Sequence, residues 1–357
     1  MSTQQATAAP TGPSDAWTVR VQARPLVVGL GTVDPDLVTD VLGPELEFVA
    51  RPGDAELARA VGAIVRADVD VDRAFLDRAP SMRVLARTGV GVDRVDVAAA
   101  TERGIAVVIT PGSGTRAVAE GVLAHALHLV KRLTATTALV REGRWHERGQ
   151  SRFVPGDLDG ATIGIVGYGR IGRRVGELAG AFGMRVLAYD PVTAPPPGQR
   201  CDDLNELVAA SDVVSLHVPL TEQTHHLADA GLISRMRPGA ILINCGRGGL
   251  LDLDAAHAAL RSGHLGGIGL DVFDPEPAVP HPLFDEPNVV LTPHMMGLSR
   301  RGTALTFADA AQGVVDVLAG RDPAAVADPH WKAHATAPGH RPGDTHMQAA
   351  AAAEEKR

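Results

Sequence analysis

The stretch Ala161-Thr162-Ile163-Gly164-Ile165-Val166-Gly167-Tyr168-Gly169-Arg170-Ile171-Gly172 decides the fold of this chain. It reads as a short apolar strand that enters a glycine turn and continues as a helix. Gly167 permits the tight turn, and Gly169 lets the backbone come up against a pyrophosphate. Gly172 lets the helix lie close to the sheet, its positive N-terminal dipole facing the phosphates. The next apolar run, Met184-Arg185-Val186-Leu187-Ala188-Tyr189, ends at Asp190, 18 residues beyond Gly172. That is near the spacing of roughly 20 expected for an acid on the ribose of a dinucleotide. A carboxylate there accepts bonds from ribose hydroxyls and repels a 2′-phosphate. Pro191, not an arginine, follows it, so NAD is favoured over NADP. The alternative for Asp190 is a cap on the strand end.

Outward from this motif, apolar runs alternate with helical segments. Strands are predicted at 25–30, 63–66, 83–86 and 105–109, then at 184–189, 212–216, 240–244, 267–272 and 288–292. Helices fall between them, such as Val71 to Arg78 and Val97 to Arg103. The alternation predicts an α/β fold with doubly wound parallel sheets. Val118, Val122, Ala126, Val130 and Leu133 recur at helical spacing, predicting one long helix over Ala117 to Glu142 that Gly143 stops. A last helix is expected over Gly302 to Ala319.

At 357 residues the chain exceeds the size at which one core stops growing, so two domains are expected. Its net charge of −8 argues against nucleic-acid or anionic-membrane partners. Two cysteines, Cys201 and Cys245, cannot build a disulfide framework and fit a reducing compartment. The first twenty residues hold no signal-peptide core and no run reaches membrane-span length, so the expectation is a cytoplasmic protein. Met1 to about Val21 reads as a loose leader. From about 322 the chain turns polar. The irregular spacing of His330, His334, His340 and His346 there points to a disordered tail, and no metal site is expected.

Five motifs in order carry a family resemblance. They are Gly89-Val90-Gly91-Val92-Asp93, Val118-Ala119-Glu120, the glycine turn, Asn244-Cys245-Gly246-Arg247-Gly248-Gly249, and Asp271-Val272-Phe273-Asp274-Pro275-Glu276-Pro277 followed by Thr292-Pro293-His294. Over about residues 25 to 320 the chain resembles the D-isomer-specific 2-hydroxyacid dehydrogenases, which include 3-phosphoglycerate dehydrogenase and glyoxylate/hydroxypyruvate reductase. The resemblance implies a Rossmann-type NAD-binding domain (119–297) inserted into a flavodoxin-like substrate domain (25–118 and 298–321), with the active site in the cleft between them. A leader (1–24) and a tail (322–357) flank this unit. It also implies a homodimer built in part through the long helix.

Reducing a 2-keto acid requires that its carboxylate be held, its ketone polarised and a proton delivered to the developing alkoxide. The resemblance assigns these tasks to Arg247, Glu276 and His294. Arg247 follows the run Ala240 to Asn244, at the carboxyl end of a predicted parallel strand, and its guanidinium suits a carboxylate. An isolated imidazole with a pKa of about 6.5 is only about one quarter protonated at pH 7, and a carboxylate partner raises that fraction. The family places this partner five residues after the first aspartate of its motif, which selects Glu276 over Asp274. Cofactor contacts are implied at Gly167, Gly169, Arg170, Ile171, Gly172, Asp190, Pro219, Thr224, Cys245 and Asp271, with strand-end capping the alternative for Asp271. The keto or hydroxy acid is expected against Arg247 and the backbone N–H groups of Val90 and Gly91. Arg87 is a candidate for a substrate phosphate, or else a solvent-facing arginine.

Three departures from the family pattern border the substrate cleft and leave the acid unnamed. Arg94 stands where an asparagine often follows the motif's aspartate. Ile109 and Gly114 occupy a loop where asparagines are common, and Met295-Met296-Gly297-Leu298 replaces a smaller, glycine-rich run. A phosphite dehydrogenase-like oxidoreductase and a non-enzymatic, NAD-sensing corepressor-like protein stay open as rival functions.

Overall fold

The computed structural model describes residues 24–335, in which the strands form two parallel sheets. The first contains β1 (Leu26–Leu30), β2 (Glu47–Val49), β3 (Ala60–Val65), β4 (Val84–Arg87) and β5 (Ala106–Val108), ordered β2-β1-β3-β4-β5. This is the flavodoxin-like order. The second contains β6 (Thr162–Val166), β7 (Arg185–Tyr189), β8 (Val213–Leu216), β9 (Ala240–Asn244), β10 (Leu265–Leu270) and β11 (Val289–Leu291), ordered β11-β10-β9-β8-β6-β7. A parallel bridge from Ala188 to Arg200 extends this sheet beyond β7, where a Rossmann sheet carries its third strand.

Helices α1 (Thr39–Leu42), α2 (Asp54–Arg59), α3 (Arg73–Arg78) and α4 (Val97–Glu102) join the strands of the first sheet. Then follow α5 (Thr115–Val130), α6 (Leu133–Arg141), α7 (Arg170–Ala181), α8 (Leu204–Ala210), α9 (Ala230–Arg235), α10 (Leu253–Arg261) and α11 (Arg300–Leu318). Every residue of β1, β6 and β9 is buried, as required of parallel strands covered by helices on both faces. Ile163 and Ile165 pack with Val122 and Ala126 of α5 and Val175 of α7, while Val166 faces the opposite cluster with Leu207 and Leu216. Each such aliphatic side chain contributes about 1.5–3 kcal/mol on burial. Helix α5 covers β9, β10 and β11, whereas α11 covers β3, β4 and β5. The chain therefore leaves the first sheet between Val108 and Thr115 and returns to it between Leu291 and Arg300.

Three expectations need correction. The single helix over Ala117 to Glu142 is two helices, broken at Arg132, whose φ of 51° lies in the left-handed region. A non-glycine residue pays roughly 1–2 kcal/mol for that conformation. Charged hydrogen bonds offset the cost: Arg132 Nε donates to Val154 O at 3.0 Å, and Lys131 Nζ donates to Gly156 O and Asp157 Oδ1 at 2.7 and 2.5 Å. Periodicity alone does not register such a break.

The polar segment from 322 is ordered as far as it is described. Ala325 O accepts from Ile109 N, Ala327 N donates to Val107 O, and Trp331 is buried in the core of the first sheet. The segment thus covers the outer side of β5, the last strand of its sheet. There His330 pairs with Asp328, and among the described residues no cluster of three or more His, Cys, Asp or Glu side chains is arranged to hold a metal. His340, His346 and the leader up to Ala23 lie outside the described residues. Finally, β2 was absent from the sequence reading, because three half-buried residues give too short a pattern to stand out.

Candidate active site

The glycine turn is built by close backbone contacts. Gly167 has a φ of 98°, and a Cβ on Gly172 would lie 2.1 Å from Gly167 O. Side chains at either place are excluded by backbone. A Cβ on Gly169 would meet nothing within 4 Å, so this turn faces open space at the start of the 12-residue helix α7. Such a cradle fits the pyrophosphate of a dinucleotide, with Arg170, Ile171 and Gly172 in the first helical turn behind it.

Asp190 serves this turn directly. Its Oδ2 accepts from Tyr168 N at 2.7 Å, and its Oδ1 accepts from Val192 N and Thr193 N at 2.8 and 2.7 Å. Burial opposes the charge, yet the three backbone donors prevail and hold the carboxyl below its ordinary range. A carboxylate has about four acceptor sites, so a ribose hydroxyl remains compatible with the capping role. Across the sheet, Thr224 Oγ1 donates to Pro219 O at 2.7 Å and accepts from Thr221 N, closing the turn that follows β8. Cys245 is buried at the end of β9, where burial and the Asp271 charge push its thiol far up and keep it neutral.

The proposed chemistry converges at the carboxyl ends of β9, β10 and β11, opposite the loop after β4. Asn244, fully buried, donates to Arg247 O at 2.8 Å and accepts from Gly246 N at 3.0 Å, which shapes the turn that presents Arg247. Arg247 then reaches across to the first half, its Nε donating to Asp93 Oδ2 at 3.1 Å. A Cβ on Gly91 would fall 2.3 Å from Arg247 Nη2, so the absence of a side chain at 91 makes room for the guanidinium. Among the described residues, the N–H groups of Val90 and Gly91 have no protein acceptor, and Val90 is exposed.

His294 and Glu276 form a pair, with Nδ1 and Oε2 2.8 Å apart. The other Glu276 oxygen accepts from Phe273 N at 3.0 Å, so the carboxylate is held at both ends. The bond to Glu276 raises the His294 pKa against the effect of burial; the charges of Glu276 and Asp271 add to the rise and Arg247 opposes it. Glu276 is lowered in turn, because bonds from His294 and Phe273 N outweigh its burial. Asp274 lies instead beside Gly249, away from the imidazole.

Arg87 and Asp271 both hold loops of the site. Arg87 is not solvent-facing: it is 4% exposed, and its guanidinium donates to Gly91 O at 3.1 Å and to Arg66 O. It braces the substrate-side loop from beneath, and its burial lowers its pKa. Asp271, 2% exposed, has a strand-end role of its own, and with about four acceptor sites its carboxylate stays compatible with the expected cofactor contact. Its oxygens accept from Thr292 Oγ1, Met295 N and Met296 N, fixing the loop that carries His294. Asn244, Asp93 and Thr292 went unassigned in the sequence reading. Their places inside the quoted motifs were the available signal, and their partners lie far along the chain.

The chain is similar to known proteins of one family. Residues 123–296 match the family described as D-isomer specific 2-hydroxyacid dehydrogenase, NAD binding domain. The D-3-phosphoglycerate dehydrogenase of Mycobacterium tuberculosis is 37% identical over 302 residues, covering 80% of this chain and 57% of that one. This chain therefore spans little more than half the length of that relative. The glyoxylate reductase of Thermococcus litoralis is 39% identical over 249 residues, 67% of this chain and 75% of that enzyme. The solved D-lactate dehydrogenase of Aquifex aeolicus, complexed with NAD and lactic acid, superposes with a TM-score of 0.73 at 29% identity, covering 83% of this chain and 96% of that one. With its glycine turn, its Arg247 and its Glu276–His294 pair, the chain belongs to the D-isomer-specific 2-hydroxyacid dehydrogenases and binds NAD through its second sheet.

Proposed function

We propose that this protein interconverts a D-2-hydroxy acid and its 2-keto acid, with Arg247, Glu276 and His294 as its catalytic residues. The Glu276–His294 pair carries this reading. It leaves Nε2 of a 45%-exposed imidazole free of protein partners among the described residues, on a ring whose pKa is raised. Bound NADH supplies the hydride. The chain's own residues do the rest. Arg247 and the N–H groups of Val90 and Gly91 hold the carboxylate and polarise the ketone, and His294 Nε2 gives its proton to the alkoxide oxygen. In oxidation the neutral imidazole takes the proton back from the hydroxyl. Glu276 keeps Nδ1 protonated throughout, which fixes the tautomer. Cofactor contacts are assigned to the glycine turn, Asp190, the Pro219–Thr224 turn, the Cys245 backbone and Asp271.

The test is a screen of glyoxylate, hydroxypyruvate, phosphohydroxypyruvate and pyruvate with NADH, followed by absorbance. Turnover of at least one of them is expected. Failure on all four, with oxidation of phosphite by NAD instead, overturns the reading.

A homodimer of cytoplasmic location completes the proposal. Leu133, Val140, Trp145 and Val154 are 46, 62, 61 and 53% exposed on the neighbouring elements α6 and 145–154. Beside Leu133 lies a recess of about 250 Å³ that includes Leu129, Val130 and Pro287. Apolar side chains gathered in this way are suited to a second copy of the chain. Both cysteines are free, in keeping with a reducing compartment. Sedimentation velocity is expected to show a dimer for the unaltered protein and a monomer for Val140→Glu/Trp145→Glu. A dimer unchanged by the double substitution places the interface elsewhere.

A further inference from the structure

Two adjacent residues of the loop after β4 reach across the cleft. Asp93 takes the Nε–H of Arg247. Arg94 reaches the loop after β10, where its Nη2 donates to the main-chain oxygen of Glu276 at 3.0 Å across 182 residues of sequence. Arg94 is itself anchored at its base. Its Nη1 lies 3.1 and 3.2 Å from the two oxygens of Asp70, and its own carbonyl accepts from Val71 N at 2.8 Å. Backbone and side chain are therefore both tied to the segment before α3, and the guanidinium is aimed outward from a fixed base. A charged donor with a planar fork can hold a carboxylate on one nitrogen and a carbonyl on the other in a fixed relative geometry.

The acceptor is the carbonyl of the residue whose carboxylate sets the protonation of His294. Glu276 is thus held at three points: Phe273 N and His294 on its side chain, and Arg94 on its main chain. The first two come from the second half of the molecule, the third from the first half. An asparagine at this position would lack the aliphatic stem that lets Arg94 span the gap to Glu276 O. We propose that Arg94 is a positioning residue: the Asp70–Arg94–Glu276 bridge aligns the Glu276–His294 pair when the two halves are together. The inference rests on the proposed reaction for its kinetic consequence, though not for its structural one.

Arg94→Met keeps most of the length and removes both bonds. Its expected effect is a fall in kcat of about tenfold, the scale of one charged hydrogen bond, with the NADH Kd within twofold. The C–H resonances of His294, identified by their loss in His294→Gln, report its pKa without any turnover. The groups that face this ring are Glu276, Asp271 and Arg247. With Glu276 less well held, the His294 pKa is expected to fall in Arg94→Met. In a Glu276→Gln background, Arg94→Met is expected to change it no further. A purely structural role lowers thermal stability and leaves the titration and kcat unmoved. That result, in a folded variant with normal NADH affinity, overturns the inference. Should Arg94→Met not fold, Asp70→Asn releases the anchor and is expected to shift the His294 titration in the same direction; no shift there overturns it equally. If the unaltered protein turns over no keto acid, the proposed reaction fails while the titration still decides the role of Arg94.

Discussion

His294→Ala is expected to lower keto-acid reduction by roughly 10²–10⁴ while NADH binding is retained. The size follows from what is removed. The ring sits 2.8 Å from Glu276 through Nδ1, so Nε2 is the nitrogen available to the reacting oxygen. No other described histidine shares this pairing with a carboxylate in the cleft. The glycine turn and Asp190 lie at the ends of β6 and β7, so the variant keeps its nucleotide site. Fluorescence titration with NADH separates the two effects, and undiminished reduction removes His294 from its role.

The pH dependence has a definite sign. In the proposed reaction, reduction uses the protonated imidazole, so its rate is full at low pH and falls as pH rises through the His294 pKa. That pKa lies above the ordinary 6.5 because of Glu276. Oxidation uses the neutral ring and rises through the same pKa. Glu276→Gln removes the main cause of the elevation, so both limbs move to lower pH, and limbs that stay in place dissociate Glu276 from the titration.

Arg247→Ala is expected to lower kcat/KM by roughly 10²–10³, the scale on which one donor to a developing oxyanion acts. Its guanidinium is the side-chain cation that the turn after β9 presents to the cleft, with Asp93 on its Nε and Gly91 beside its Nη2. Removing it leaves the carboxylate with backbone donors alone and frees Asp93 to repel an anionic substrate. Arg247→Lys is expected to recover little, since an ammonium cannot replace a planar fork. A fall confined to KM assigns Arg247 to binding; a fall in kcat as well assigns it to the polarised ketone. A kcat/KM within threefold of the unaltered protein removes it from the site.

What was legible in the sequence had short-range causes. The turn at Gly167 to Gly172 is a contact between residues a few positions apart, and strands such as Ile163-Gly164-Ile165-Val166 announce their burial by being apolar throughout. Glu276 was separable from Asp274 by its place in a motif. The remaining features depend on distant partners. Arg87 looked like a free cation until Gly91 and Arg66 supplied carbonyls for it. Asp271 faces the loop 292–296 because that loop brings it three donors. The break at Arg132 depends on the carbonyls of 154 and 156, and the order of Trp331 on the first sheet. A polar tail and a long amphipathic run carry no local mark of such contacts.

The return crossing from the second sheet to the first has a mechanical consequence. It runs from Leu291 to Arg300 and contains His294, with Met295 and Met296 pinned to Asp271 and Ser299 capping α11 on the far side. Any turning of one half against the other must pass through this segment and through the outward crossing between Val108 and Thr115. His294 is tied by main-chain and neighbouring bonds to Asp271 of the second half and keeps its place relative to that half in any such rotation, whereas the Val90–Arg94 loop turns with the first half.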